Sequence, residues 1–241
     1  MIMAQIGFGY GSEYQLLRYL GHHRQELEEI ISKQIGEGKF EWEDFKYANP
    51  KKAISGDREL TGLDFLESKY PDKYKTVINE YKKFIKKEEW QKWDAIFTHK
   101  GTLYLVEAKA HIRELSSGAE CHGGTSSERI LKYFKFELPS LQVSEAWLRD
   151  YYQLANRLAT SALLNKYGIN TKILYIYFVN GYRKRVIDND KVFETVNLNA
   201  SEEQFRDAIK IEMQTLGITY ESVSDLLAPP VFVNAEPIPY K

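Results

Sequence analysis

The chain has 241 residues, of which 43% are hydrophobic and 14% aromatic, enough apolar material for a folded core and too much for a disordered chain. Its one cysteine, Cys121, excludes an intramolecular disulfide and is typical of a reducing compartment. The sequence has no apolar run of the roughly 18 residues that a membrane span needs, and its first residues lack the features of a signal peptide. We therefore expect a soluble, cytoplasmic protein with no membrane partner, folded as a single domain over 1–241.

Charge is unevenly distributed along the chain. The formal net charge is -1, but residues 186–241 contain ten acidic and four basic residues, a balance of -6 that leaves +5 for the remainder. The most basic stretch, 69–92, carries eight lysines against four acidic residues and is interleaved with aromatic residues. Such a stretch is suited to following the phosphates of a nucleic acid, and it is equally typical of the solvated face of an amphipathic helix.

Helical periodicity dominates the first part of the chain. Ser12 and Gln15 fit a capping box, so a helix is predicted from Ser12, with a bend or break at Gly21 and an end before Gly36. A second helix is predicted over 71–87, where the apolar residues again recur at helical spacing.

Strand and helix signals then alternate. The predicted elements are, in order, strands over 92–98 and 102–110 joined by a turn at 99–101, a flexible loop over 116–127, a helix over 144–167, a strand over 172–180, a strand over 192–198 and a helix from Ser201 to about 216. A hairpin followed by a helical crossover predicts an α/β fold, in which a central mixed sheet is flanked by helices.

Two ionisable residues interrupt the apolar strand over 102–110. Glu107 and Lys109 lie two positions apart, so their side chains share one face of the strand. Isolated charges are costly to bury unless they are paired, hydrogen-bonded or bound to a metal. In a hairpin that turns at 99–101, the residue numbers of two paired residues add up to about 201. Asp94 is therefore expected opposite Glu107. Two converging carboxylates suit Mg²⁺ or Mn²⁺, and the backbone carbonyl of Ala108 is a candidate for a further ligand.

This set of groups is suited to the hydrolysis of phosphodiesters. A bound metal ion polarises a phosphate and lowers the pKa of a water molecule. Lys109 is then a candidate to orient or deprotonate that water, or to stabilise the phosphoryl oxygens. The alternative is a buried Glu107–Lys109 pair that only holds the sheet together, although pairs of this kind add little stability.

Asp94, twelve intervening residues and then Glu107-Ala108-Lys109 resemble the PD-(D/E)XK nuclease superfamily. The resemblance implies a restriction-endonuclease-like αβββαβ core over about 12–180, with the Asp on the second strand and Glu-Ala-Lys on the third. Residues from about 181 to 241 then form a C-terminal extension with an extra strand and helix. Trp93 stands where the nominal superfamily pattern has proline.

The resemblance also implies further site residues. Some members place a metal-binding Glu on the first core helix, for which Glu13 is the first candidate and Glu26 the second; the alternative for Glu13 is a carboxylate that stabilises a helix N-terminus. Gln153 and Arg157 are candidates for substrate contact on the helix after the motif, and surface positions are the alternative. The superfamily's Gln-x-x-x-Tyr pattern is absent, which weakens the case for Gln153. His111 is a candidate for substrate contact or for a residue that ends the strand.

The function implied is that of a Mg²⁺- or Mn²⁺-dependent nuclease, an endonuclease or exonuclease with DNA as the expected substrate. Many members of the superfamily dimerise, so a homodimer is part of the expectation. One alternative is a catalytically silent nucleic-acid-binding or assembly module that keeps the fold. Another is hydrolysis of RNA or of a small nucleotide.

Overall fold

The computed structural model describes residues 11–43, 60–116, 125–180, 182–187, 192–197 and 200–235. Within these ranges the α-helices are α1 (Ser12–His22), α2 (Arg24–Ile35), α3 (Leu66–Lys69), α4 (Pro71–Phe84), α5 (Thr125–Glu137), α6 (Tyr152–Lys166) and α7 (Glu202–Leu216). The strands are β1 (Phe40–Trp42), β2 (Leu60–Thr61), β3 (Lys92–Trp93), β4 (Ala95–His99), β5 (Thr102–Lys109), β6 (Thr171–Val179), β7 (Tyr182–Ile187), β8 (Val192–Asn197) and β9 (Val231–Asn234). None of the helices in these ranges is long and apolar enough to span a membrane.

Five strands form a curled central sheet in the order β1-β4-β5-β6-β9. β4 runs antiparallel to both of its neighbours, β1 and β5, whereas β5, β6 and β9 run parallel. A parallel neighbour requires a crossover connection, and α5 and α6 lie in the segment that joins β5 to β6. The predicted α/β class, with a mixed sheet flanked by helices, is therefore confirmed.

The two faces of this sheet bury separate apolar clusters. Side chains alternate along a strand, so Leu103 and Leu105 of β5 join the cluster that contains α4, α6 and α7. Tyr104 and Val106 join the other cluster, which contains α1 and α2. Glu107 and Lys109 point to the same face of β5 as Leu103 and Leu105. The charged end of β5 therefore lies on the face that α6 and α7 cover.

The hairpin of β4 and β5 has the predicted register. Ala95 pairs with Val106 and His99 with Thr102, so paired positions sum to 201 throughout. The chain reverses at Lys100 and Gly101, whose φ angles of 49° and 75° are those of the tight turns that match strand twist.

The first predicted helix is broken close to the predicted position, but the prediction of its start is wrong. It is divided into α1 and α2 at His23, two residues after the glycine expected to bend it, where φ is -132°. The predicted capping box at Ser12 does not form, because Ser12 is already helical and Gly11 is the N-cap residue, with no side-chain cap. The same signal succeeds at the other end of the chain, where Ser201 and Gln204 do form a capping box before α7.

The predicted helix over 144–167 is also shorter than expected. A 3₁₀ turn at Glu145–Leu148 comes first, and α6 begins only at Tyr152 because the chain leaves helical geometry at Arg149. The strands β1, β7 and β9 and the helix α5 were not predicted as such. Of the predicted loop over 116–127, residues 125–127 belong to α5 and residues 117–124 lie outside the described ranges.

The aromatic residues of the basic stretch point into the protein. Tyr81 is fully buried. Four others pack, partly buried, against the same cluster as α6: Tyr70, Tyr74, Phe84 and Trp90. The amphipathic interpretation of this stretch is therefore the one that its packing supports.

Candidate active site on the covered face of the sheet

Asp94 occupies the bend between β3 and β4, beside the end of β5. The paired register ends at Ala95 and Val106, and the backbone N–H of Asp94 donates to the same Val106 carbonyl at 3.2 Å, so the ladder stops one residue short of Asp94 and Glu107. One carboxylate oxygen of Asp94 accepts the backbone N–H of Ala108 at 2.7 Å. Ala108 lies beyond the part of β5 that pairs with β4, so its N–H has no partner in that ladder. The Asp94 carboxylate accepts this N–H, and the bond fixes Asp94 against the Glu-Ala-Lys segment.

Glu107 and Lys109 are buried side by side at the end of β5. Glu107 is 4% exposed and Lys109 is 6% exposed. The Lys109 ammonium donates to Glu107 Oε1 at 2.8 Å and to the side-chain oxygen of Gln153 at 2.8 Å. A charge pair this deeply buried keeps its charges only if its remaining hydrogen-bonding capacity is also satisfied.

Helix α6 provides the remaining hydrogen-bond partners through Gln153 and Arg157, which lie one turn apart. The Gln153 amide donates to Glu107 Oε1 at 2.6 Å. The Nε and Nη2 atoms of Arg157 donate to Glu107 Oε2 at 3.0 and 2.9 Å. Both predicted contact residues are therefore in the site, and Arg157, at 6% exposure, is not the surface residue that was the alternative.

Arg157 also ties the site to the segment before Asp94. Its guanidinium donates to the side-chain oxygen of Gln91 at 2.9 Å and to the carbonyl of Lys92 at 3.0 Å. It lies 4.6 Å from the ring centre of Trp93, the residue in the nominal proline position. Arg157, which belongs to α6, thus contacts both β3 and β5. This one buried cation fixes the three elements relative to one another.

These contacts decide the charge of Glu107. Burial acts to raise the pKa of this carboxyl, but the adjacent Arg157 and Lys109 cations outweigh burial and hold the pKa below its ordinary value of 4.5. Glu107 is therefore an anion at neutral pH, surrounded by two cations and one amide.

A second buried carboxyl lies near the same lysine and was not predicted. Glu212 on α7 is 3% exposed, and burial raises its pKa to about 8, against the smaller opposing effect of Lys109. The sequence did carry a signal for it. Glu212 follows Phe205 by seven residues and Ile209 by three, so it falls on the apolar stripe of α7, where a carboxyl is unexpected.

The remaining predicted site residues lie elsewhere. Glu13 is in the first turn of α1, and Glu26 is on α2, where it lies 3.8 Å from His23. Both helices pack on the sheet face opposite the one that carries Glu107. His111 follows β5 directly and its carbonyl accepts the N–H of Glu114 at 3.0 Å, which starts a 3₁₀ turn and ends the strand.

The donor chemistry of the site fits a small hard cation. Asp94 and Glu107 both lie at this end of the hairpin, and Mg²⁺ is commonly held by one or two carboxylates while it keeps several waters. Among the described residues, no group of three or more His, Cys, Asp and Glu side chains is arranged to hold a metal ion, so the two carboxylates would act without a third. Metal binding also requires Glu107 to exchange part of its contact with Lys109 or Arg157.

Comparisons with known proteins identified no similar family, protein or structure. No protein-family model matches the chain, and neither a curated protein nor a solved structure is found to be similar to it.

Proposed function

We propose that this protein is a metal-dependent nuclease of the PD-(D/E)XK type, which hydrolyses phosphodiester bonds of nucleic acid, with DNA as the expected substrate. One observation carries the proposal. The carboxylate of Asp94 accepts the backbone N–H of Ala108 at 2.7 Å, between Glu107 and Lys109, whose buried side chains share one face of a central strand.

The order of the elements supports the same proposal. If the segment between β1 and β4 is treated as an insertion, then α1, β1, β4, β5, α6 and β6 follow one another as in an αβββαβ core. Asp94 then precedes the second strand of that core directly, and Glu-Ala-Lys ends the third. The helix after the third strand brings Gln153 and Arg157 to the motif.

Each side chain has a role that follows from its contacts. Asp94 and Glu107 would hold Mg²⁺ or Mn²⁺, together with the Ala108 carbonyl as a predicted ligand. The bound ion supplies Lewis acidity toward the phosphate and lowers the pKa of a coordinated water. Lys109 places a cation where charge develops on the phosphoryl oxygens. Arg157 and Gln153 hold the Glu107 carboxylate in one orientation, which prevents it from turning away from the substrate.

A second candidate function rests on the same contacts. Both oxygens of Glu107 already accept from Lys109, Gln153 or Arg157, as in a closed structural network. A nucleic-acid-binding module without catalysis would retain such a network. It would bind with a steep dependence on salt and would not cut.

A cleavage assay separates these two functions. Purified protein with Mg²⁺ or Mn²⁺ is expected to cut DNA, and a chelator is expected to stop it. Lys109→Ala should lower the rate by about 100-fold or more, as expected when a group that stabilises the transition state is removed. Lys33→Ala, at an exposed position of α2, is the matched control and should leave the rate within about twofold of wild type.

The result that would overturn the proposal is equally specific. Equal residual activity in wild type and Lys109→Ala would point to a contaminating nuclease. Binding of DNA without cleavage, under either metal, would favour the silent module. Parallel assays with RNA and with small nucleotides define the substrate class.

A further inference from the structure

A groove runs along the outer side of α7, on the same sheet face as the candidate site. It has a volume of about 340 Å³, within the range of small-molecule sites. Its apolar walls come from α7 and from the segment that follows it: Ile209, Met213, Ile218, Tyr220 and Pro230. A groove of this volume and composition suits a small, largely apolar group.

Two cationic side chains stand at the rim of the groove. Arg206 pairs with Glu202 at 2.7 Å and lies 4.5 Å from the ring centre of Phe232. Lys210, one turn further along α7, is exposed and forms no ion pair within the described part of the chain. Lys210 is therefore placed to bind an anionic group on a ligand whose apolar part fills the groove.

A smaller cavity lies behind the groove and shares Ile209, Met213, Tyr220 and Pro230 with it. Its volume of about 10 Å³ is that of roughly one water molecule. Glu212 lines this inner cavity. A buried carboxyl one cavity away from an apolar groove is a polar group that a ligand in the groove can reach through a water molecule.

The inner cavity also adjoins the candidate active site. Tyr175 and Tyr177 line it, and in the parallel pairing of β5 with β6 these two residues lie beside Glu107 and Lys109. Tyr177 stacks on Tyr175 at 5.9 Å and on Phe232 at 5.4 Å. Aromatic rings thus extend from the strand beside the buried charges to Phe232, over which Arg206 of the groove lies.

We propose that this groove receives one unpaired nucleobase of the nucleic acid, and that the substrate class is therefore nucleic acid with a single-stranded segment. The inference rests on the proposed nuclease function and deepens it. A base inside a duplex is stacked and paired on both sides, so only an unpaired or extruded base can enter such a groove. The apolar walls take the flat faces of the base, and Lys210 contacts its phosphate.

Binding of mononucleotides tests the groove without any cleavage. The probes are the four deoxynucleoside 5′-monophosphates, titrated into Lys109→Ala protein in the presence of chelator and followed by calorimetry or NMR. At least one is expected to bind with a Kd of about 1 mM or lower. Gln214→Trp fills the groove from an exposed position of α7 and should weaken binding by about tenfold or more, which corresponds to about 1.4 kcal/mol.

A second variant and a matched control keep the test decisive. Lys210→Glu reverses the rim charge at an exposed position and should weaken binding severalfold, even if Gln214→Trp proves poorly folded. Gln34→Trp, at an exposed position of α2 on the other face, should bind as its parent does. Undiminished binding in both groove variants would overturn the inference.

The outcome separates this inference from the function on which it rests. If wild type cuts DNA but no mononucleotide binds at millimolar concentration, the groove is not a base site while the nuclease function stands. If mononucleotides bind in the groove and nothing is cut, the nuclease function fails instead. With both intact, wild type should cut single-stranded DNA faster than duplex, and Gln214→Trp should reduce that preference.

Discussion

Glu107 and Glu212 are two carboxyl groups buried to nearly the same extent, 4% and 3% exposed, and both lie near Lys109. Their surroundings differ. Glu107 accepts hydrogen bonds from Lys109, Gln153 and Arg157, whereas Glu212 lies among apolar and aromatic residues of α7 and β6. Burial acts on both to raise the pKa, yet it prevails only at Glu212, because at Glu107 the two adjacent cations outweigh it.

The comparison teaches that the partners of a buried carboxyl, rather than its depth, decide whether it is charged. Glu107 is an anion at neutral pH, paired with two cations. Glu212, with a pKa of about 8, holds a proton under the same conditions. The two sites therefore contribute to stability with opposite dependence on pH.

The largest expected effect comes from Glu107→Leu. This change leaves Arg157 and Lys109 buried without their anion, and we expect a loss of about 3–5 kcal/mol in the free energy of unfolding at pH 7. Because the pKa of Glu107 is lowered, its contribution is present above 4.5 and is lost as pH falls through the lowered value, so the difference should shrink in acid. Urea denaturation measures it, with Glu29→Leu on the exposed side of α2 as the control. A loss below about 1 kcal/mol would mean that the network adds little.

Glu212→Gln is expected to have the opposite sign. A raised pKa means that the stability present below 4.5 is lost progressively as pH rises toward 8. Each pH unit corresponds to about 1.4 kcal/mol, so at pH 7 the variant should be more stable than wild type by about 3 kcal/mol and at pH 4 about equal to it. Unfolding curves at both pH values check this. A stability difference that does not change with pH would show that the pKa of Glu212 is not raised in the folded protein.

Gln153→Leu should have the smallest effect of the three. It removes one donor to Glu107 and one acceptor from Lys109, and Gln153 is only partly buried, so we expect a loss of about 1 kcal/mol. Gln34→Leu, at an exposed position of α2, is the matched control. A loss as large as that of Glu107→Leu would show that the amide, rather than Arg157, holds the carboxylate in place.

The parts of the fold and site that depend on local pattern were predictable from the sequence. The hairpin follows from two apolar runs around Lys100 and Gly101, and its register from Ala95–Val106 to His99–Thr102 follows by counting alone. The capping box at Ser201 is equally local. At Ser12 the same pattern failed, because the preceding glycine takes the cap position.

The parts that depend on distant partners were not predictable. β1 and β9 have three and four residues, too few for a periodic signal, and each exists because a strand far along the chain pairs with it. Gln153 and Arg157 flank the apolar stripe of α6, so helical periodicity alone does not separate a buried polar contact from a solvated one. Their burial follows from β5, which presents a charge to that side of the helix.

The hydrogen bonds of Arg157 have a consequence for how the chain folds. Until α6 docks, the end of β5 carries Glu107 and Lys109 against apolar side chains without the guanidinium that joins them to Gln91 and Lys92. Docking of α6 therefore both buries these two charges and supplies the cation that compensates for their burial. One side chain thus links the hairpin, the segment before it and the crossover helix.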